Sequence, residues 1–410
     1  MKSFSTFITE AVNSHMTHAE DLIFIDGVAG ARQTFGFLSS VSKMLSGHTK
    51  APVSTTVKWD GAPSIFIGID PADGKFFVAK KGIFAKNPKL YKSHADIDRE
   101  TSGDLAKKFH VALDEFSKLG LKTGVIQGDL MFNSWDLKKE VIDGEKYLTF
   151  QPNTIVYAVP VASELASKIR AAKIGVIWHT TYTGSSIEKM EASFGKAILP
   201  RLTHKPSVWM DDANYKDVSG AASMTEKETK QIMALLAQAG TLLRSIPAAA
   251  LNTFKGHEEL LIRVNTYNNS KIREGQHMAD PQKHASGLVP HIQAYFQKEM
   301  DSKKTDKGKA SVKARMQATL APLLRIKHSD LINIFRLYDE LSIAKLILVR
   351  KMNHAASLGT FLRTADGFRV TTPEGFCAID HLTGNIVKLV DRLEFSHANF
   401  SPDVIKGWAR

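Results

Sequence analysis

Cysteine is nearly missing from this sequence: Cys377 is the only one. That excludes a disulfide framework or a cysteine-built metal site within one chain, and it suits a reducing compartment. Long apolar runs are missing as well. No stretch reaches the roughly 18 apolar residues that a membrane-spanning helix needs, so no membrane partner is expected. The opening residues, MKSFSTFITE, lack the apolar centre of a secretory signal. Acidic residues are in deficit, with 42 Asp and Glu against 54 Lys and Arg, which leaves a formal net charge of +12. An excess of that size suits a polyanionic partner such as nucleic acid.

What is present has the texture of a globular protein. The 410 residues leave room for two or three domains at about 100–200 residues each. Residues 11 to about 48 read as mainly helical. From about 53 to 82 the runs VSTTVKWD, SIFIGID and KFFVAKKG are short and rich in β-branched and aromatic residues, with PADG and Gly82 supplying turns. An amphipathic helix is expected over 104–119, strands over 124–132 and 153–161, then a helix in SELASKIRAA and a strand in IGVIWHTTY. Thr225 and Glu228 form a capping-box pattern, and Ser329 precedes a long helical run. The lysine-rich stretch 298–315 reads as a solvated face or loop. Strand texture resumes in GFRVTTPEGFCAIDHLTGNIVKLVDRLEF. The expected division is a helical segment over 1–48, a strand-rich part over 49–200, a helical insert over 201–360, and a second strand-rich part over 361–410.

The sharpest chemical signal is Val57-Lys58-Trp59-Asp60-Gly61, a lysine at a strand end followed by an acidic residue and a glycine, then another strand. Further pieces follow in order: VAKKG with Lys80 and Lys81, VIQGDLMF with Asp129, TIVYAV with Tyr157, PEGFCAI with Glu374, and NIVKLVDR with Lys388. Lysine is a nucleophile only as the neutral amine, so its pKa of about 10.4 has to be lowered by burial or neighbouring cations. Asp and Glu are hard oxygen donors of the kind that hold Mg²⁺.

This series resembles the motifs of the covalent nucleotidyltransferases, the superfamily of DNA ligases, RNA ligases and mRNA capping enzymes. It covers roughly residues 50–200 and 362–400. The resemblance implies an α+β fold, a ligase adenylation-domain core of antiparallel sheets, here with a large mainly helical insert. It implies ATP and Mg²⁺ or Mn²⁺ as cofactors, with Lys58 and Lys388 catalytic. Val57, Asp60, Gly61, Lys80 or Lys81, Tyr157, Glu374 and Arg392 would bind the nucleotide, with Tyr157 stacking on the purine and Asp60 holding the ribose or orienting Lys58. Asp129 and Glu374 would hold the metal. The partner implied is nucleic acid, as RNA or DNA ends or nicks.

Some positions depart from the pattern. Asp129 stands where the family has Glu. Val390 stands where many relatives have a second lysine, with Arg392 two positions on as the substitute. Pro63 replaces the arginine common in DNA ligases and capping enzymes, and only 22 residues follow Lys388 (388 to 410), too few for the oligonucleotide-binding barrel of those enzymes. These departures favour an RNA-ligase-like polynucleotide ligase. DNA nick sealing with the same site, or a non-catalytic DNA-binding role on a degenerate fold, stand as alternatives. Finally, MKSFSTFITE followed by Ala11 resembles the capsid-targeting peptides of large contractile-tailed phages. It implies cleavage after Glu10, contact with phage head components, packaging in the capsid and delivery to the host cytoplasm.

Overall fold

Two sequence periods divide the chain, and each builds its own layer. The computed structural model describes residues 17–46, 53–85, 87–194, 198–214, 224–278, 280–353, 358–380 and 385–407. The expected capsid-targeting segment 1–10 lies outside them. Helix α1 spans Leu22–Leu45, with a break in helical geometry at Asp26 and Gly27. Strands β1 (Val53–Lys58), β2 (Ser64–Ile69) and β3 (Phe76–Lys80) follow, then helices α2 (His94–Glu100) and α3 (Gly103–Phe116). Next come β4 (Val125–Asn133), β5 (Lys138–Ile142), β6 (Glu145–Phe150), β7 (Ile155–Pro160), helix α4 (Glu164–Ala171), β8 (Ile174–Thr183), β9 (Glu191–Phe194) and β10 (Val208–Asp212). The helical run is α5 (Glu226–Ser245), α6 (Ala248–Leu251), α7 (Glu258–Arg273), α8 (Pro281–Asp301), α9 (Asp306–Leu323) and α10 (His328–Asn353). The chain closes with β11 (Gly359–Thr364), β12 (Gly367–Val370), β13 (Gly375–Asp380), β14 (Ile386–Leu389) and α11 (Arg392–Phe400).

The fold is α+β. Its strands form three sheets, ordered β1-β13-β14, β10-β8-β4-β2-β3 with β9 on β8, and β12-β11-β7-β6-β5. Pairing within the sheets is antiparallel except for β10 on β8. Among the described residues no single helix is long and apolar enough to cross a membrane.

Helix α1 does not stand apart from the later helices. Its Ile23, Phe24, Phe37 and Leu38 share one core with Ile232, Leu288, Phe335 and Leu348, so α1 and the run from α5 to α10 make one helical body. Strand β10 carries the sheet region on to Asp212. The box at Thr225 is formed as read: its side chain accepts from the Glu228 N–H while the Glu228 carboxylate takes the Thr225 N–H. The stretch 298–315 is not a loop. It holds the end of α8 and the first half of α9, pinned where Arg315 bonds Glu299 at 2.9 Å.

Sheet β1-β13-β14 decides where the chemistry sits. Phe376, Ala378, Val387 and Leu389 belong to the helical core, and Val57 packs against it. Residues directly opposite one another in paired strands share a face, and faces alternate along each strand. The pairings Thr56 with Cys377 and Cys377 with Lys388 therefore put Thr56, Lys58, Cys377 and Lys388 together on the opposite face.

Candidate active site around Lys58

Lys58 ends β1 opposite Gly375, so Glu374, one residue before β13, arrives at the same end of the sheet. The two side chains form an ion pair, 22% and 10% exposed. Gly375 is required there. Its φ is +139°, and a Cβ would stand 2.7 Å from the Leu389 carbonyl oxygen. One row along, Lys388 is half-buried, and its ammonium makes no ion pair or hydrogen bond among the described residues.

The turn after Lys58 is latched from below. The buried Asp60 carboxylate accepts from Asn153 Nδ2, from the Thr154 N–H and from the Ile155 N–H, each at 2.7 Å. The Asp60 N–H donates to the Tyr157 hydroxyl at 2.8 Å. With its oxygens taken in this way, Asp60 fixes the turn that carries Lys58 and does not offer itself to a ribose. Tyr157 is a correction to the expected purine platform. It is fully buried, with Trp59 at 5.3 Å and Phe150 stacked at 5.5 Å, so its ring is packed against protein and not open to a base. Gly61 is needed for close approach, because a Cβ would fall 2.5 Å from the Asp129 Cβ. The Ala62 N–H then donates to the Leu130 carbonyl at 2.9 Å, docking the turn on β4 beside Asp129.

Asp129 brings a partner that sequence reading missed. Between the pairs Gln127–Thr180 and Gly128–Trp178, His179 is the extra residue of a β-bulge on β8. Its Nε2 stands 3.7 Å from Asp129 Oδ2. Bulges re-aim side chains out of the strand alternation, and IGVIWHTTY gives no signal of one.

The charges around Lys58 oppose one another. Burial by itself would lower the Lys58 pKa, but the Glu374 charge and hydrogen bond outweigh it and hold Lys58 above its ordinary value, with Asp129 adding to them. Glu374 is pushed up to about 7, first by burial, with Asp60 and Asp129 adding to it and Lys58 opposing. Burial and then the Lys58 charge lower Lys388. Burial raises the Cys377 thiol to about 11, so it stands as a thiol between the two lysines and not as a nucleophile.

Four expected nucleotide contacts lie elsewhere. Val57 turns its side chain to the helical core. Lys80 pairs with Ile65, whose side chain sits in the cluster under α3, so Lys80 projects to that face and away from Asp129. Its neighbour Lys81 is exposed just past the end of β3. Arg392 is not on the Lys388 strand at all. Asp391 caps α11 by accepting from the Leu393 and Glu394 N–H groups, and Arg392 opens that helix. There it is buried against Asp21 at 2.8 Å, the Tyr338 hydroxyl at 2.8 Å and Asn269 at 2.7 Å. The sequence did hold a signal for this, because Asp391 followed by Glu394 is a capping pattern.

A cavity of about 20 Å³ lies beside Glu374, lined also by Asp60, Thr154, Pro373 and Asp391, with room for about one water. Among the described residues no three His, Cys, Asp or Glu side chains converge as a ready-made metal site. Asp129 and Glu374 are oxygen donors of the kind that hard cations take, and Glu374 is engaged with Lys58. The model of a family described as "Family of unknown function (DUF6267)" matches residues 13–403. No curated protein and no solved structure matches the chain.

Proposed function

This chain belongs to the DUF6267 family, whose description assigns no function, and from its own residues we propose that it is an ATP-dependent polynucleotide ligase working through Lys58. The observation that supports this is the meeting of Lys58, Asp129, Glu374 and Lys388. They come from distant segments and influence one another's charge state.

The ion pair states what must change for Lys58 to react. Burial is the largest influence on its pKa and acts downward, and Glu374 is the foremost of the groups that reverse it. Once Glu374 turns from Lys58, burial and the nearby Lys388 ammonium favour the neutral amine. The Lys58 nitrogen then attacks the α-phosphorus of ATP. An N–P bond forms, the bond to the bridging oxygen breaks, and pyrophosphate leaves with the electron pair. The Lys58 proton passes through Glu374 to solvent. A polynucleotide 5′-phosphate next displaces lysine from AMP, and a 3′-hydroxyl displaces AMP to close the phosphodiester. Lys388, with no carboxylate partner, is the cation at hand for phosphate oxygens. Mg²⁺ or Mn²⁺, held by Asp129 and Glu374, would neutralise phosphate charge.

Incubation with α-labelled ATP and Mg²⁺ or Mn²⁺ tests the reading. The expected result is a denaturation-resistant label on the wild type and none on Lys58→Ala. Sealing assays on single-stranded RNA and on nicked DNA then separate an RNA-ligase-like activity, which Pro63 favours, from nick sealing. The resting Lys58–Glu374 pair and the small adjoining cavity favour a second reading, a strand-binding protein without catalysis. Absence of label with either metal supports that one. We extend the proposal to packaging in a phage head: intact mass of virion-derived protein is expected to show a chain starting at Ala11.

A further inference from the structure

On the far side of the Lys388 strand lies an opening that the Lys58 chemistry does not use. The Lys388 N–H donates to the Thr17 carbonyl at 2.8 Å, and Thr17 and His18 lead from there into the wall of a second cavity. It has a volume of about 350 Å³ and lies between α7, α11 and the start of α1. That volume is within the range of pockets that take small organic groups, about 300–1,000 Å³.

Its wall has a definite chemistry. Asn265 and Asn269 both line it and stand i and i+4 on α7, and Arg273 extends the same helix face by one more turn. Asn265 makes no side-chain hydrogen bond among the described residues, and Arg273 makes no ion pair. The Arg273 guanidinium stands 5.3 Å from the Phe400 ring centroid, and Phe400 is 62% exposed at the rim. Arg392 in the same wall is already bonded to Asp21 and Asn269, so its charge is met.

Each feature narrows the ligand. An apolar ligand would leave the Asn265 amide unsatisfied, at a cost comparable to a lost hydrogen bond. A multiply charged anion would find Arg273 as the single uncommitted cation of the wall. A planar heterocycle carrying one phosphate fits all of them. Amides offer a donor and an acceptor to base edges, an exposed phenyl face with an arginine beside it stacks bases, and a free guanidinium takes a phosphate. We propose that this cavity holds one nucleotide of a single-stranded polynucleotide, with its base at Phe400 and Asn265 and its phosphate at Arg273. A strand is favoured over a free mononucleotide because Phe400 and Arg273 are exposed at the rim, where a chain can enter and leave, and because the protein carries a net charge of +12. The proposal deepens the ligase reading by assigning where the strand is held.

The test is anisotropy of 5′-labelled single-stranded RNA and DNA oligonucleotides on the full chain, wild type against Arg273→Ala/Phe400→Ala and Asn265→Ala. The altered side chains lie at the rim, and unchanged circular dichroism confirms folding. The expected result is tenfold or greater loss of affinity in the double variant and a smaller loss in Asn265→Ala. Labelling with ATP should remain at the wild-type level in both. Oligonucleotide affinity within twofold of wild type in the double variant overturns the inference even where labelling succeeds. Competition by AMP alone at the oligonucleotide's own affinity also overturns it, because the pocket then takes a free nucleotide. Failure of wild-type labelling sinks the ligase reading and leaves the binding result to stand or fall by itself.

Discussion

Lys58 is held between burial, which favours its neutral amine, and Glu374, which favours its ammonium. Glu374→Gln removes the second influence and keeps the shape. The pH midpoint of self-labelling is expected to move at least one unit toward acid, measured from initial rates from pH 6 to above 10, whatever happens to the maximum rate. An unmoved midpoint would mean that Glu374 does not control the Lys58 proton. Gly61 offers a steric test of the same centre. In Gly61→Ala the new methyl would overlap Asp129 Cβ, so the turn must lift from β4. Labelling should fall at least tenfold, and the urea midpoint should fall with it by about 1–3 kcal/mol of stability, because the Ala62–Leu130 docking is forced apart. At this scale the sequence was partly legible. Lys58, Asp129, Glu374 and Lys388 were chosen by chemistry and order, and the fold brings them together. Tyr157 stands out on the same grounds but is buried, because an aromatic in a strand carries no mark of whether its face is open.

Among the elements, the junction of α1, α10 and α11 is an electrostatic weld. Lys345 pairs with Glu20 at 2.6 Å, both nearly inaccessible, while Arg392 reaches Asp21 and Tyr338. Breaking a buried pair by deleting one partner costs about 3–5 kcal/mol, because the other charge stays buried. Arg392→Ala is expected to lose that much in urea unfolding, whereas an Arg392 serving only a nucleotide would leave stability unchanged. The helical body also carries a pH signature. Burial holds His284, bonded to Asn268 at 2.9 Å, down at about 4. Its folded pKa is depressed below the ordinary 6.5, so between those values the unfolded chain binds the extra proton. Its contribution is present above about 6.5 and is lost as pH falls toward 4, by up to about 3 kcal/mol. His284→Gln should flatten the acid limb of the stability–pH curve, as followed by thermal melts from pH 4 to 8. Element types were readable from period and caps, as at Thr225. The start of α11 is hidden in the sequence by the apolar run after Lys388, which makes the strand look as if it continues past the Asp391 cap.

For the whole molecule, the charge of +12 makes an expectation about any polyanion it holds. Log affinity for a single strand should fall linearly with log salt, and Arg273→Ala should reduce that slope by about the share of one phosphate contact, roughly 0.7. A slope near zero would mean that strand phosphates are not what the protein binds. The sequence by itself determined the strand and helix texture, the basic excess, the lone cysteine and the list of groups able to do phosphoryl chemistry. These follow from side-chain pattern and pKa, which are local properties. Only the tertiary structure decided which groups share a face, because that depends on the register of β1 against β13 and β14. It alone placed Lys80 behind the sheet and Arg392 in an ion cluster, re-aimed His179 through a bulge, and opened a polar cavity behind Lys388. Register, bulges and the docking of α1 onto later helices are set by pairings between separate segments, such as Gln127 with Thr180 and Phe24 with Phe335, and no single element's sequence carries them.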